Sequence, residues 1–321
     1  MRPPIEAPSL DEIRRARLRI ADWVVRTPLI RLQLEDAPAE IYLKLENLQP
    51  IGSFKLRGAG NAMAAAAPEL LGKGVYTASA GNMAQGVAWN ARRMGLPCTA
   101  VVPDHAPQTK LQAIRRMGGK ILSVPFQEWW EVILNHRYPG QQGLFIHPVS
   151  NREVMAGNGT IGLEVAQDLK GLDAVLVPFG GGGLSCGIAS ALKALSPQTK
   201  VYACEVETAA PLAASLKAAS PQSVDYQPSF VDGAGGKSVL EEMWPLAQNL
   251  LQGSLVVSLQ ETAAAVRLLA ERHRVIAEGA GALSLAAALS GQAGQGRIVC
   301  IISGGNIDAS RLCSILAGNT P

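Results

Sequence analysis

The sequence predicts an α/β protein with two open, twisted, mostly parallel sheets flanked by helices, and three observations carry that expectation. Short apolar runs alternate along the chain with amphipathic stretches, the order of strand–helix units. The runs are nearly continuous in apolar residues, as strands buried on both faces require. They fall into two series separated by a crossover at 144–151, so the 321 residues suit two domains of ordinary size.

The elements follow in order. Asp11, Glu12, Arg14 and Arg15 lie in a charged helical pattern. Ile41 to Leu45 reads as a strand. Gly74 to Thr77, Thr99 to Pro103 and Lys120 to Val124 read as strands too, each followed by a helical pattern. The second series comprises Asp173 to Pro178, Val201 to Glu205 and Arg297 to Ile302. Leu184 to Leu195 reads as a helix. No internal repeat or long linker interrupts the pattern, and no appended regulatory module is expected after the last strand.

Composition excludes several classes of function. Lys and Arg number 29 against 26 Asp and Glu, a net charge of +3. That balance, with no basic run, argues against a nucleic-acid surface. Hydrophobic residues make up 48%, ample for a core, while aromatics are only 5%. No apolar segment follows Met1 to Pro4, so no secretory signal is expected. The longest apolar stretch, Ala280 to Leu289, is too short to span a bilayer. Five dispersed cysteines argue for reduced thiols in a cytoplasmic protein. The four histidines are dispersed as well, and no metal site is expected.

Two segments carry chemistry. Gly180, Gly181, Gly182 and Gly183 stand between an apolar strand and a helical stretch. Strand, glycine loop and helix N-terminus together make an anion site, because bare backbone N–H groups turn toward a phosphate and the helix dipole adds attraction. A plain tight turn needs fewer glycines. The loop matches neither G-x-G-x-x-G nor G-x-x-x-x-G-K-[ST], so it indicates phosphate without indicating a nucleotide. The second segment is Gly52 to Ala59, in which Ser53 could N-cap a helix carrying Lys55 in its first turn. A lysine near a helix N-terminus in apolar surroundings has a lowered pKa and can supply a free amine for a Schiff base. Taken alone, a lysine is more often a solvated surface group.

The run Glu46 to Ala59 resembles the pyridoxal-phosphate (PLP) lysine motif of the serine/threonine dehydratases, the fold-type II, tryptophan-synthase-β-like class. Thr77 to Ala88, the tetraglycine loop and Ser303-Gly304-Gly305-Asn306 match in the same order, as does Ala156 to Glu164. The resemblance covers nearly the whole chain. It implies a large PLP-binding domain of residues 1–49 and 150–321, and a small mobile domain of residues 50–149 carrying Lys55 and a carboxylate-binding loop. It implies Lys55 as the catalytic base and point of PLP attachment, with Ser79 as a second catalytic residue. Phe54 would pack on the cofactor ring and Asn82 would bond its 3-oxygen. Gly180, Gly181, Gly182, Gly183 and Leu184 would hold the phosphate, and Ser303 would face the ring nitrogen. A hydroxyl leaves that nitrogen neutral, where a carboxylate would hold it protonated, and a weaker electron sink suits elimination. Ser79, Ala80, Gly81, Asn82 and Met83 would receive the substrate, with Gly235 and Glu278 nearby. A homodimer is implied as well.

The implied activity is removal of water from a β-hydroxy-α-amino acid, serine, threonine or a bulkier analogue, to give a 2-oxo acid and ammonia. The alternatives are a racemase, a β-replacement enzyme or a non-catalytic PLP- or amino-acid-binding protein. Ala80 occupies the position of the second catalytic serine of the family's racemases, and alanine cannot donate a proton. Met83 stands where most of the dehydratases have histidine, which either accommodates an apolar β-substituent or merely packs beneath the loop. Glu205 matches the start of a metal-binding stretch in some relatives, but a later carboxylate position is Pro211 here. Glu278 either orients Ser303 or a substrate group, or caps the following helix. The glycine-rich variants at Gly235 and Gly279 resemble the branch containing phenylserine and hydroxyectoine-pathway dehydratases.

Overall fold

The computed structural model describes residues 2–321. Among them ten strands run in chain order: β1 (Leu29–Arg31), β2 (Glu40–Lys44), β3 (Val75–Ala78), β4 (Cys98–Pro103), β5 (Lys120–Val124), β6 (Leu144–Phe145), β7 (Ala174–Pro178), β8 (Lys200–Val206), β9 (Gly253–Val257) and β10 (Arg297–Ile301). Six form a large sheet in the order β1-β2-β10-β7-β8-β9, and four form a small sheet in the order β5-β4-β3-β6. Every pairing is parallel except β1 with β2. Helices separate the parallel strands, as parallel pairing requires.

All seven expected strands are present, shifted by at most a residue at their ends. Three more were not legible. β1 and β6 are three and two residues long. β9 opens on Gly253-Ser254 and lies at the sheet edge, where only part of it is buried. The expected crossover at 144–151 begins with β6, and the remaining residues lead into the helix Arg152–Asp168.

The strands that carry the chemistry are the central ones. All five residues of β7 are buried, as are four of the five in β10. Between the sheets, the helices Lys55–Ala64, Arg152–Asp168 and Gly183–Leu195 pack backbone to backbone. A Cβ at Gly157 would come within 2.5 Å of the Arg57 carbonyl, and one at Gly187 within 2.4 Å of the Met155 carbonyl. Glycine at these crossings brings the Lys55 helix close to the helix that opens on the tetraglycine loop. No helix among the described residues is long and apolar enough to cross a membrane.

Candidate active site

Lys55 is the first residue of its helix, but Ser53 is not the cap. Phe54 holds the N-cap position without a side-chain hydrogen bond. Ser53 forms an isolated antiparallel bridge with Gly304, and the Phe54 N–H donates to the Ser303 carbonyl at 3.0 Å. Strand-like pairing takes the place of a cap and ties the lysine to the Ser303 segment through backbone. The Lys55 amine donates to the Pro148 carbonyl at 2.9 Å and lies 5.2 Å from the Phe54 ring centroid. No carboxylate pairs with it among the described residues. The residue keeps access to the cleft while its ammonium end is enclosed by protein. Burial lowers its pKa to about 8, with Glu278 acting in the opposite sense.

The tetraglycine loop follows β7 and opens the helix Gly183–Leu195, with Gly182 in the left-handed region at φ +99°. The N–H groups from Gly180 to Leu184 donate to no acceptor among the described residues. A Cβ at Gly181 would stand 2.8 Å from the Val149 side chain, and one at Gly183 2.9 Å from the Val149 carbonyl. Larger residues would close the loop against Val149.

Two joined cavities collect the expected residues. The first, about 270 Å³, is lined by Phe54, Lys55, Ser79, the tetraglycine loop, Leu184, Gly235 and Ser303. The second, about 370 Å³, is lined by Ala80, Gly81, Asn82, Met83 and Glu278, and again by Phe54, Lys55, Ser79 and Ser303. Every residue singled out for catalysis, cofactor or substrate therefore borders one cleft.

The hydrogen bonds of several of these residues are specific. Asn82 donates to Glu278 Oε1 at 2.8 Å and accepts from Asn306 at 2.8 Å. Glu278 occupies the N-cap position of the helix Gly279–Leu289 but makes no side-chain cap bond, and its partner is Asn82 rather than Ser303. Burial, and then Asp232, push its pKa up to about 7. Met83 is 2% exposed and packs into the core of the small sheet while also lining the second cavity. The Ser79 hydroxyl accepts from the Gly81 N–H at 3.1 Å and so shapes its own loop. Glu205 accepts from the N–H groups of Leu212 and Ala213 and from Ser254, which makes it the anchor of a helix start.

Other contributors escaped sequence reasoning. Trp129 lines both cavities; its signal was a Trp-Trp pair in an aromatic-poor chain. The fold also gathers histidines that are dispersed in sequence. His136 and His147 stack with centroids 4.1 Å apart. His147 Nδ1 accepts from the N–H groups of Val149 and Ser150 at 3.0 and 2.7 Å. Burial holds its pKa down at about 3, so the ring stays neutral and can accept. Ser150 donates to Glu242 at 2.9 Å. This set fixes the turn that offers the Pro148 carbonyl to Lys55 and Val149 to the glycine loop.

The family model "Pyridoxal-phosphate dependent enzyme" matches residues 20–304. The chain belongs to that family. It is 38% identical over 314 residues to the L-threonine ammonia-lyase of Thermotoga maritima, covering 96% of this chain and 78% of the relative. Its fold is similar to that of maize serine racemase, with a TM-score of 0.87 and 32% identity over 98% of each chain. It is similar as well to threonine deaminase isoform 2 from Solanum lycopersicum, with a TM-score of 0.86 and 33% identity over 98% of this chain and 91% of that one. These neighbours carry the fold-type II architecture. PLP fits the cleft on the evidence of the residues themselves: free N–H groups at a helix start for a phosphate, and a buried amine without a carboxylate for the aldehyde.

Proposed function

We propose that this chain is a PLP-dependent ammonia-lyase that eliminates water from a β-hydroxy-α-amino acid, leaving a 2-oxo acid and ammonia. The observation that carries the reading is the Lys55 amine, enclosed in protein, unpaired with any described carboxylate and in one cavity with the glycine loop and Ser303. PLP supplies the electron sink when bound. The chain's residues do the rest. Lys55, with its pKa near 8, removes the Cα proton as a base tuned toward neutrality. The N–H groups of 180–184 bind the phosphate, and the Ser303 hydroxyl faces the ring nitrogen. Phe54 packs against the ring. Asn82, held between Glu278 and Asn306, offers its amide to the 3-oxygen.

The loop Ser79–Met83 receives the substrate carboxylate, with Gly235 and Glu278 on the opposite wall. Ala80 supplies no acid on the second face of Cα, which favours elimination over racemisation. The small unit, residues 50–149, closes over the larger one and excludes water from the cleft. A homodimer in the cytoplasm completes the proposal, and sedimentation of the purified protein tests its oligomeric part. The activity is tested by 2-oxo-acid release from serine, threonine, 3-hydroxyaspartate and phenylserine. Release from at least one supports elimination; inversion of stereochemistry without release contradicts it.

A further inference from the structure

Eliminating water takes two proton transfers. Lys55 removes the Cα proton, and the β-hydroxyl must receive one, because hydroxide is a poor leaving group and water a good one. Five described titratable residues border the second cavity: Lys55, His105, Lys110, Asp232 and Glu278. Lys55 is the base. His105 is exposed and lies against Asp104. Lys110 and Asp232 are paired at 2.7 Å, with Arg311 3.4 Å from the same Asp232 oxygen. Glu278 remains.

Its surroundings suit an acid. Glu278 is 7% exposed and holds the N-cap position of the helix Gly279–Leu289 without bonding to it. A capping carboxylate is held ionised by the helix dipole; this carboxyl reaches Asn82 instead. Its Oε1 accepts from Asn82 at 2.8 Å. Glycines make room for that oxygen: a Cβ at Gly304 would stand 2.4 Å from it, and one at Gly233 3.3 Å. Its Oε2 accepts no hydrogen bond among the described residues and is not sealed from the cavity. Asn82 on Oε1 therefore leaves Oε2 to carry the proton. Burial favours the neutral carboxyl and Asp232 adds to the effect; Asn82, Lys110 and Lys55 oppose it, and the pKa settles at about 7.

We propose that Glu278 is the general acid of the elimination, its carboxyl oriented by Asn82 and its Oε2 proton passing to the departing β-hydroxyl. The Cβ–O bond breaks with its electron pair going to oxygen, which takes the proton and leaves as water. Lys55 takes the Cα proton, and the electron pair of that bond becomes the Cα–Cβ double bond. Glu278 regains its proton from solvent through a third cavity, about 400 Å³, which it borders together with Lys110 and Asn306. The proposal rests on the dehydratase reading of the same site and adds the acid to its base.

The test compares leaving groups in the holoenzyme. Chloride departs without a proton, so β-chloroalanine needs the base and not the acid. Glu278→Gln keeps an oxygen for Asn82 and loses the acidic proton. It should lower kcat/KM for serine, and for the best β-hydroxy substrate, by at least roughly a hundredfold, the lower end of acid–base contributions, with β-chloroalanine elimination nearly unchanged. Wild-type kcat/KM for β-hydroxy substrates should fall as pH rises through about 7, a limb absent with β-chloroalanine. Asp232→Asn should move that limb to lower pH, because a neighbouring negative charge is lost. Independently of turnover, the protonated-carboxyl band in the infrared difference between wild type and Glu278→Gln should titrate at the same pH. Equal loss with both leaving groups, or loss with neither, overturns the proposal, as does a Glu278 carboxyl ionised throughout the neutral range. A wild-type enzyme that eliminates chloride but takes water from no β-hydroxy amino acid defeats the dehydratase reading itself, a result distinct from any of these.

Discussion

Lys55 and Arg57 are two residues apart on one helix, both cationic and both drawn into the interior, yet their surroundings are opposite. At 3.6 residues per turn, positions two apart point about 200° apart around a helix axis, so one residue reaches the cleft and the other the core. Arg57 is fully buried and doubly paired: its guanidinium bonds both oxygens of Glu46 at 2.8 Å and both oxygens of Glu164 at 2.7 and 3.0 Å. Lys44 adds a second cation at 2.6 Å from Glu164. Two cations and two anions cancel, and Arg57 stays charged at any working pH. Lys55 bonds a carbonyl in place of a carboxylate, so burial is only partly offset, by the more distant Glu278, and its pKa falls to about 8. Pairing turns a buried cation into a structural lock, and leaving it unpaired turns it into a reactive amine.

The largest expected effect separates the two functionally. Lys55→Ala should lower turnover by at least roughly a thousandfold, the scale of removing a covalent and acid–base residue, while thermal unfolding stays near the wild-type midpoint. Retained activity would mean that another lysine does the chemistry. Arg57→Met should do the reverse in kind, destabilising the fold by about 3–5 kcal/mol because Glu46 and Glu164 are left buried and uncompensated. Urea unfolding measures it, and a loss below about 1 kcal/mol, the scale of an exposed pair, would break the contrast.

Glu278 sharpens the comparison from the acidic side, as a buried carboxyl that forms no salt bridge among the described residues, although Lys110 and Lys55 act on it from a distance. Its pKa is raised to about 7, so the native state holds the proton more tightly than the unfolded chain. Its full contribution is present below the unfolded value near 4.5, shrinks as pH rises toward 7, and is absent above. Glu278→Gln should flatten that slope in stability measured from pH 4.5 to 7. An unchanged slope would contradict the assignment. The smallest effect is expected at Ser150→Ala, which removes the bond to Glu242 and should cost about 1–3 kcal/mol. Its accompanying mark is a shifted pH dependence of cofactor binding, because the turn carrying the Pro148 carbonyl loosens.

Contiguous chemistry was legible in the sequence, and chemistry assembled from distant segments was not. The tetraglycine loop is legible as an anion site from its own residues, whereas Lys55 and the Ser79–Met83 loop stand out only through the resemblance of their contiguous runs to the motifs of a known family. The central strands were legible because burial on both faces imposes an unbroken apolar run, and β9 was not, since an edge strand is spared that demand. Arg57 and Glu164 are 107 positions apart, and Ser150 and Glu242 are 92 apart. Nothing local in either segment predicts the pairing. Ser53 misled because its place before a helix resembles a cap, while the bridge to Gly304 comes from the far end of the chain. Glu278 was open to two readings; it makes no cap bond, and the bond it does accept comes from Asn82, 196 positions away.

The most direct test locates the cofactor on the chain. The purified holoenzyme is reduced with borohydride, digested, and mapped by mass spectrometry for the lysine that retains the pyridoxyl group. The comparison of Lys55 with Arg57 predicts a single modified peptide bearing the group on Lys55. Stable modification of a different lysine, with Lys55 unlabelled, would contradict it.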